Sequence, residues 1–96
     1  MIVWTIYDIT NDKTRTKVSK ICIDTGLYRV QKSAFVGNLE LNRIDEMKLN
    51  IEQMINPKSD SVYIFPMCKA DFEKVILLGQ AFNEKLVSGT LKSLIL

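Results

Sequence analysis

The chain has 96 residues, 47% of them hydrophobic and 25% charged, which suits one domain around one core and excludes a disordered chain. Its net charge is +2 and it contains no histidine, which excludes histidine general-base chemistry, Ser-His-Asp and Cys-His nucleophile pairs, and the usual zinc spacings. No apolar run reaches the roughly 20 residues of a membrane span, and the start of the chain lacks a basic segment with a small-residue cleavage site, so a cytoplasmic protein with no membrane association is expected.

Residues 2–7, Ile-Val-Trp-Thr-Ile-Tyr, are apolar at both parities and read as a strand buried on both faces. The strand runs directly into Asp8. A carboxylate at that tip has three possible roles: capping the following turn through backbone N–H groups, pairing with a basic side chain, or holding a metal ion. Asn11 or Asp12 then serves as N-cap for a helix over about 12–25, ended by Gly26. Val18, Ile21, Cys22 and Thr25 form its apolar stripe. Lys13, Lys17, Lys20 and Asp24 share the opposite, wet face, and Arg15 falls on the flank.

Residues 27–39, LYRVQKSAFVGNL, have strand composition with a break at Gln31–Ser33, as two short strands or one kinked ribbon. A second helix is expected over about 41–55, with Leu41, Ile44, Met47, Ile51, Met54 and Ile55 on one face and Pro57 as its stop. SVYIFPM, residues 61–67, is a third strand segment ended by Pro66. EKVILLG, residues 73–79, reads as a further strand bounded by Gly79, in competition with a helix starting near Asp71. Residues 81–96 are a tail that adds an edge strand or docks on a partner. Cys22 and Cys68 lie far apart, form no CxxC pair, and read as buried thiols.

The order strand, helix, strand, strand, helix, strand is the split βαβ pattern of an α+β, ferredoxin-like βαββαβ domain, here a single domain over 1–96 with its core in about 1–80. Both helices of that fold cover one face of the sheet, so strands apolar at both parities leave the other face apolar too. Such a face calls for a cover, either a two-fold homodimer or the C-terminal tail folded back. Charge is uneven as well. Residues 1–35 carry Lys13, Arg15, Lys17, Lys20, Arg29 and Lys32 against Asp8, Asp12 and Asp24, which favours a polyanion near the N-terminal third.

Taken in order, the strand-end YDI, the ND before a basic helix with Arg15, the run RVQKSAF and the strand DSVYIFP resemble the small CRISPR-associated adaptation nucleases, the Cas-two family, over about residues 1–80. The resemblance implies a ferredoxin-like homodimer with metal-dependent phosphodiesterase activity on RNA or double-stranded DNA. It also implies a place in the complex that captures new spacers, beside an integrase partner. The family's metal-binding and catalytic aspartate matches Asp8, with Mg2+ or Mn2+ as cofactor. Its polar and basic positions match Arg15, Arg29, Gln31, Ser33 and Phe35. Ala34 stands where valine is commoner, and Val36 where an acidic residue often follows the phenylalanine.

Residue chemistry fills in the rest. Guanidinium groups at Arg15 and Arg29 suit phosphates, and either can instead pair with an aspartate. The stripe Lys13, Lys17, Lys20 suits a duplex backbone without base reading, or is an ordinary solvated face. Ser33 has no base to activate it and reads as a phosphate or turn contact. Tyr7 and Phe35 are expected at the dimer interface or in the core. An aromatic RNA-recognition sheet is disfavoured, because Phe35 stands largely alone. Two rivals to the nuclease remain: a non-catalytic DNA-binding scaffold of the adaptation complex, and a toxin-like ribonuclease of the same topology.

Overall fold

A computed structural model describes residues 1–79 and gives the order β1 (Ile2–Asp8), α1 (Asp12–Thr25), β2 (Tyr28–Gln31), β3 (Ala34–Asn38), α2 (Leu41–Glu52), β4 (Ser61–Met67) and α3 (Lys69–Glu73). The four strands form one sheet in the order β2-β3-β1-β4, with every neighbouring pair antiparallel. This is the ferredoxin-like arrangement expected from the element order. The central strand β1 is paired along both edges, Thr5 facing Phe35 on one side and Ile64 on the other.

The first helix forms because both of its ends are closed. Asn11 Oδ1 accepts the Thr14 N–H at 3.0 Å, and Gly26 takes the left-handed conformation at φ 118°. That turn lets the Leu27 N–H reach the Cys22 carbonyl at 3.0 Å. Arg43 of α2 donates to the Thr25 carbonyl at 3.0 Å, tying the second helix to the end of the first. Helix α2 is shorter than its periodicity predicts: it ends at Glu52, Gln53–Ile55 form a turn, and Leu41 and Met54 are exposed. The break in the ribbon falls at Lys32–Ser33, separating β2 from β3.

Alternation along β1 sorts the core into two clusters. Val3 and Tyr7 face the helices and pack with Val18, Cys22, Phe35 and Met47, while Ile2 and Trp4 face the other way and pack with Val30, Val36 and Phe72. Thr5, fully buried on the helix side, donates its hydroxyl to the Met47 sulfur at 3.8 Å.

Two expectations for the C-terminal half need correction. Pro66 lies inside β4 and does not end it, which an edge strand tolerates. The strand expected over 73–79 is absent. A short helix over Lys69–Glu73 brings Phe72 against Trp4, and Val75 and Leu77 line the open face while Ile76 and Leu78 point to solvent. The period-two pattern of a strand is present, but no described strand pairs with it. The edge strand or tail expected in 81–96 lies outside the described residues.

Two consequences can be measured. A Cβ on Gly37 would sit 2.7 Å from Leu27 Cδ2 and 3.1 Å from the Gly26 carbonyl oxygen, the latter a backbone atom that cannot swing away. Gly37→Ala is therefore expected to destabilise the fold by about 1–3 kcal/mol, read as a lower denaturant midpoint with the m-value unchanged. Burial also pushes the Cys22 thiol from its ordinary 9.0 up to about 12, against the pull of Arg29. The unfolded chain then releases this proton first, so its contribution to stability is complete below pH 9 and falls as pH rises. By pH 10 the loss is about 1.4 kcal/mol, and Cys22→Ala flattens that part of the slope. Cys22 is buried as expected, but Cys68, at the cap of α3 just past the edge strand β4, is exposed and corrects the expectation of a second buried thiol. Cys68 is therefore expected to react with a thiol reagent in the native protein, and Cys22 only on unfolding.

Candidate functional site

Asp8 is the last residue of β1 and lies opposite Ser61 of β4. Parity places it with Trp4 and Ile6 on the side of the sheet away from the helices, and it is exposed. The two structural roles open to it belong to neighbours. Asn11 caps the helix that follows, and Arg15 pairs with Asp12. Among the described residues the Asp8 carboxylate makes no hydrogen bond or ion pair.

Just past this tip, Arg15 is turned back on the chain. One Nη bonds Asp12, and the other donates to the Ile9 carbonyl at 3.3 Å and the Thr10 carbonyl at 3.5 Å. Arg29, on the edge strand β2, is held differently. Its guanidinium lies over the Phe35 ring, 5.1 Å from the centroid, and donates to the Ser19 hydroxyl on α1. Beside it the Tyr7 hydroxyl donates to the Lys32 carbonyl at 3.4 Å, and the Tyr7 N–H to the Ser33 carbonyl at 3.0 Å. Burial raises the Tyr7 pKa against the opposing pull of Arg29 and Ser19, so the phenol stays neutral at pH 7. One corner of the molecule thus gathers the end of β1, the start of α1 and the β2–β3 turn.

Lys13, Lys17 and Lys20 are all exposed on the outer side of α1, as their spacing predicts. Ser33 sits half-buried in the β2–β3 turn. Of the two places expected for Tyr7 and Phe35, the core is the one they take: they stack on each other at 6.1 Å inside the helix-side cluster, 4% and 0% exposed, and are not part of the open face.

Two features are not evident from the sequence. Ser19 carries no signal of its own, because a serine beside Val18 and Cys22 looks like a filler in an apolar stripe. Phe35, the aromatic that the sequence puts forward for the sheet, faces the helices. The open face instead presents Tyr28, Tyr63 and Phe65, with Trp4 between them, and the Tyr63 and Phe65 rings are nearly parallel at 6.1 Å. The period-two spacing of Tyr63 and Phe65 is the signal that could have revealed them. Trp4 and Phe65 also line an open apolar groove of about 340 Å³, together with Ile6, Val30, Met67 and Leu77. Among the described residues, no three His, Cys, Asp or Glu side chains cluster as a metal site, and no helix is long and apolar enough to cross a membrane.

Residues 1–75 match the family described as CRISPR associated protein Cas2. The chain is 36% identical over 75 residues to a CRISPR-associated endoribonuclease Cas2 of Korarchaeum cryptofilum, covering 78% of this chain and 81% of that one. It is 33% identical over 69 residues to a CRISPR-associated endonuclease Cas1/endonuclease Cas2 fusion of Thermoproteus tenax, covering 72% of this chain and 26% of the fusion. The crystal structure of Streptococcus pyogenes Cas2 at pH 6.5 superposes with a TM-score of 0.71 at 30% identity, over 82% of this chain and all of that one. A βαββαβ core with a strand-tip aspartate, together with these similarities, makes the chain a member of the Cas2 family.

Proposed function

We propose that this chain acts as a homodimer in CRISPR adaptation, binding the backbone of RNA or double-stranded DNA and hydrolysing phosphodiester bonds with Mg2+ or Mn2+ held by Asp8. The observation that carries the reading is the Asp8 carboxylate, exposed at the tip of β1 with its structural roles filled by Asn11, which caps the helix, and Asp12, which pairs with Arg15. The name of the Korarchaeum relative, an endoribonuclease, supports the reaction class. The fusion of a Cas1 endonuclease with a Cas2 endonuclease in Thermoproteus supports an integrase partner.

The donor set suits a hard cation. A carboxylate oxygen and retained waters are what Mg2+ accepts, and one Asp per chain becomes two in a two-fold dimer. When bound, the ion supplies charge against a phosphate oxygen and lowers the pKa of water. The chain's own residues do the rest. Lys13, Lys17 and Lys20 attract the backbone, Arg29 binds a phosphate through its fork of donors, and Ser33 marks the adjoining turn. The open face, with Ile6, Tyr63 and Phe65 exposed, is the surface we assign to the second subunit.

One observation favours the scaffold reading: a single carboxylate per chain falls short of a two-metal hydrolytic centre. Asp8→Asn separates the two. Cleavage of duplex DNA and single-stranded RNA is followed while Mg2+ or Mn2+ is titrated from zero, with dimer mass and DNA affinity read alongside. The nuclease reading expects metal-dependent cleavage that disappears in the variant while dimer and binding persist. Equal behaviour of wild type and variant hands the function to the scaffold. Replacing Lys13, Lys17 and Lys20 together by Ala is expected to weaken duplex binding and to reduce the salt slope by about 0.9 for each phosphate that the lysines neutralise. An unchanged slope would make the stripe a plain solvated face.

A further inference from the structure

We propose that Ser19 is a positioning residue whose hydroxyl fixes the Arg29 guanidinium on the Phe35 ring as a preformed clamp for one backbone phosphate. The inference rests on the reading that Arg29 contacts nucleic acid, and it adds how that contact is prepared.

Ser19 is 8% exposed and lies on the buried side of α1 beside Val18 and Cys22. A hydroxyl there gains nothing from helix propensity and must find a partner. Its partner is Arg29, ten residues on in sequence and across the helix–sheet boundary. Arginine on an exposed edge strand carries rotamer entropy that a ligand would otherwise have to remove. Here the ring of Phe35 supports the guanidinium from below and Ser19 holds it from the side. The phenol of Tyr7 lies within reach of both, its own proton turned to the Lys32 carbonyl.

The two arginines of the corner differ in what they have left to offer. Arg15 spends one Nη on the Asp12 carboxylate and the other on the Ile9 and Thr10 carbonyls, so its charge is compensated and both Nη atoms are turned back on the chain. Arg29 is anchored by a neutral hydroxyl and a ring face. It keeps its full charge, and a guanidinium has five N–H donors, enough to bind two phosphate oxygens beyond those turned to Ser19 and the Tyr7 phenol. Anchoring without neutralisation is what a phosphate clamp requires.

The test uses the full-length chain and a 30-base-pair duplex, with affinity measured across a salt series for wild type, Ser19→Ala, Ser19→Thr, Arg29→Ala and the Ser19→Ala/Arg29→Ala double variant. Alanine is the best helix former, so Ser19→Ala is expected to fold, and its dimer mass and melting are checked first. Arg29→Ala should weaken binding and shrink the salt slope. Ser19→Ala should weaken binding roughly two- to tenfold, the cost of immobilising one long side chain, with the slope unchanged because the charge remains. Ser19→Thr should restore affinity, and the double variant should bind no worse than Arg29→Ala. The NMR order parameter of Arg29 Nε should also fall in Ser19→Ala. If Arg29→Ala binds like wild type, the backbone-contact reading itself fails. If Arg29→Ala is weak but Ser19→Ala is not, or if their losses multiply, the positioning role alone is overturned.

Discussion

Everything in this small protein hangs on the double pairing of β1. A strand flanked by β3 and β4 has no free edge, so its register is pinned from both sides, with Ile2 opposite Asn38 and Met67 and Ile6 opposite Ala34 and Tyr63. A slip of one residue would exchange the two faces, sending Val3 and Tyr7 to solvent and Trp4 into the helices. The register therefore also fixes the chemistry. Tyr7 is committed to the helix side, where it braces the Arg29 corner, and Asp8 is committed to the opposite side. The buried Thr5 hydroxyl, resting on the Met47 sulfur, marks how closely α2 sits on the middle of that strand.

A sheet with helices on one face has its second face still to be covered. The described chain covers it only in part: Phe72 packs on Trp4, and Val75 joins the same cluster, but Ile6, Tyr28, Tyr63 and Phe65 stay exposed. Exposure on this scale on one contiguous face exceeds the scattered apolar residues of an ordinary surface. Short chains bury a smaller share of their surface than long ones, so association is the natural way to gain what a single copy lacks.

Much of this is legible in the residues because the signals are local. Asn11 and Gly26 bracket α1 with the side chain and the backbone freedom that the two ends need, and the helix runs over 12–25 as expected. The strand-end position of Asp8 follows from the apolar run before it. Expectation and structure part where the deciding fact is not local. EKVILLG has the short apolar run of a strand, yet a strand exists only where it pairs with a neighbour, and among the described residues no strand of the sheet pairs with it. Tyr7 and Phe35 carry no mark of which face they occupy until the register is known. Ser19 looks inert in the sequence because its partner lies on another element. Side-chain pairing across the helix–sheet boundary has no period in the sequence.

The placement of charge and of apolar surface bears on whether dimerisation and nucleic-acid binding compete. Lys13, Lys17 and Lys20 sit on the solvent side of α1, and α1 lies on the helix side of the sheet. The uncovered apolar residues lie on the other side. A copy seated on the open face would therefore leave both basic stripes outward, on opposite flanks of the assembly, free to follow a long backbone. The same seam would be bordered by the face that carries Asp8, since Asp8 shares its parity with Ile6 and Trp4. Hydrophobic cover and a second carboxylate would then arrive from the same partner. A nuclease with one usable acid per chain needs that coupling, and a scaffold has no need of the acid. The arrangement of faces accommodates both, so the distinction rests on the chemistry at Asp8 rather than on the architecture.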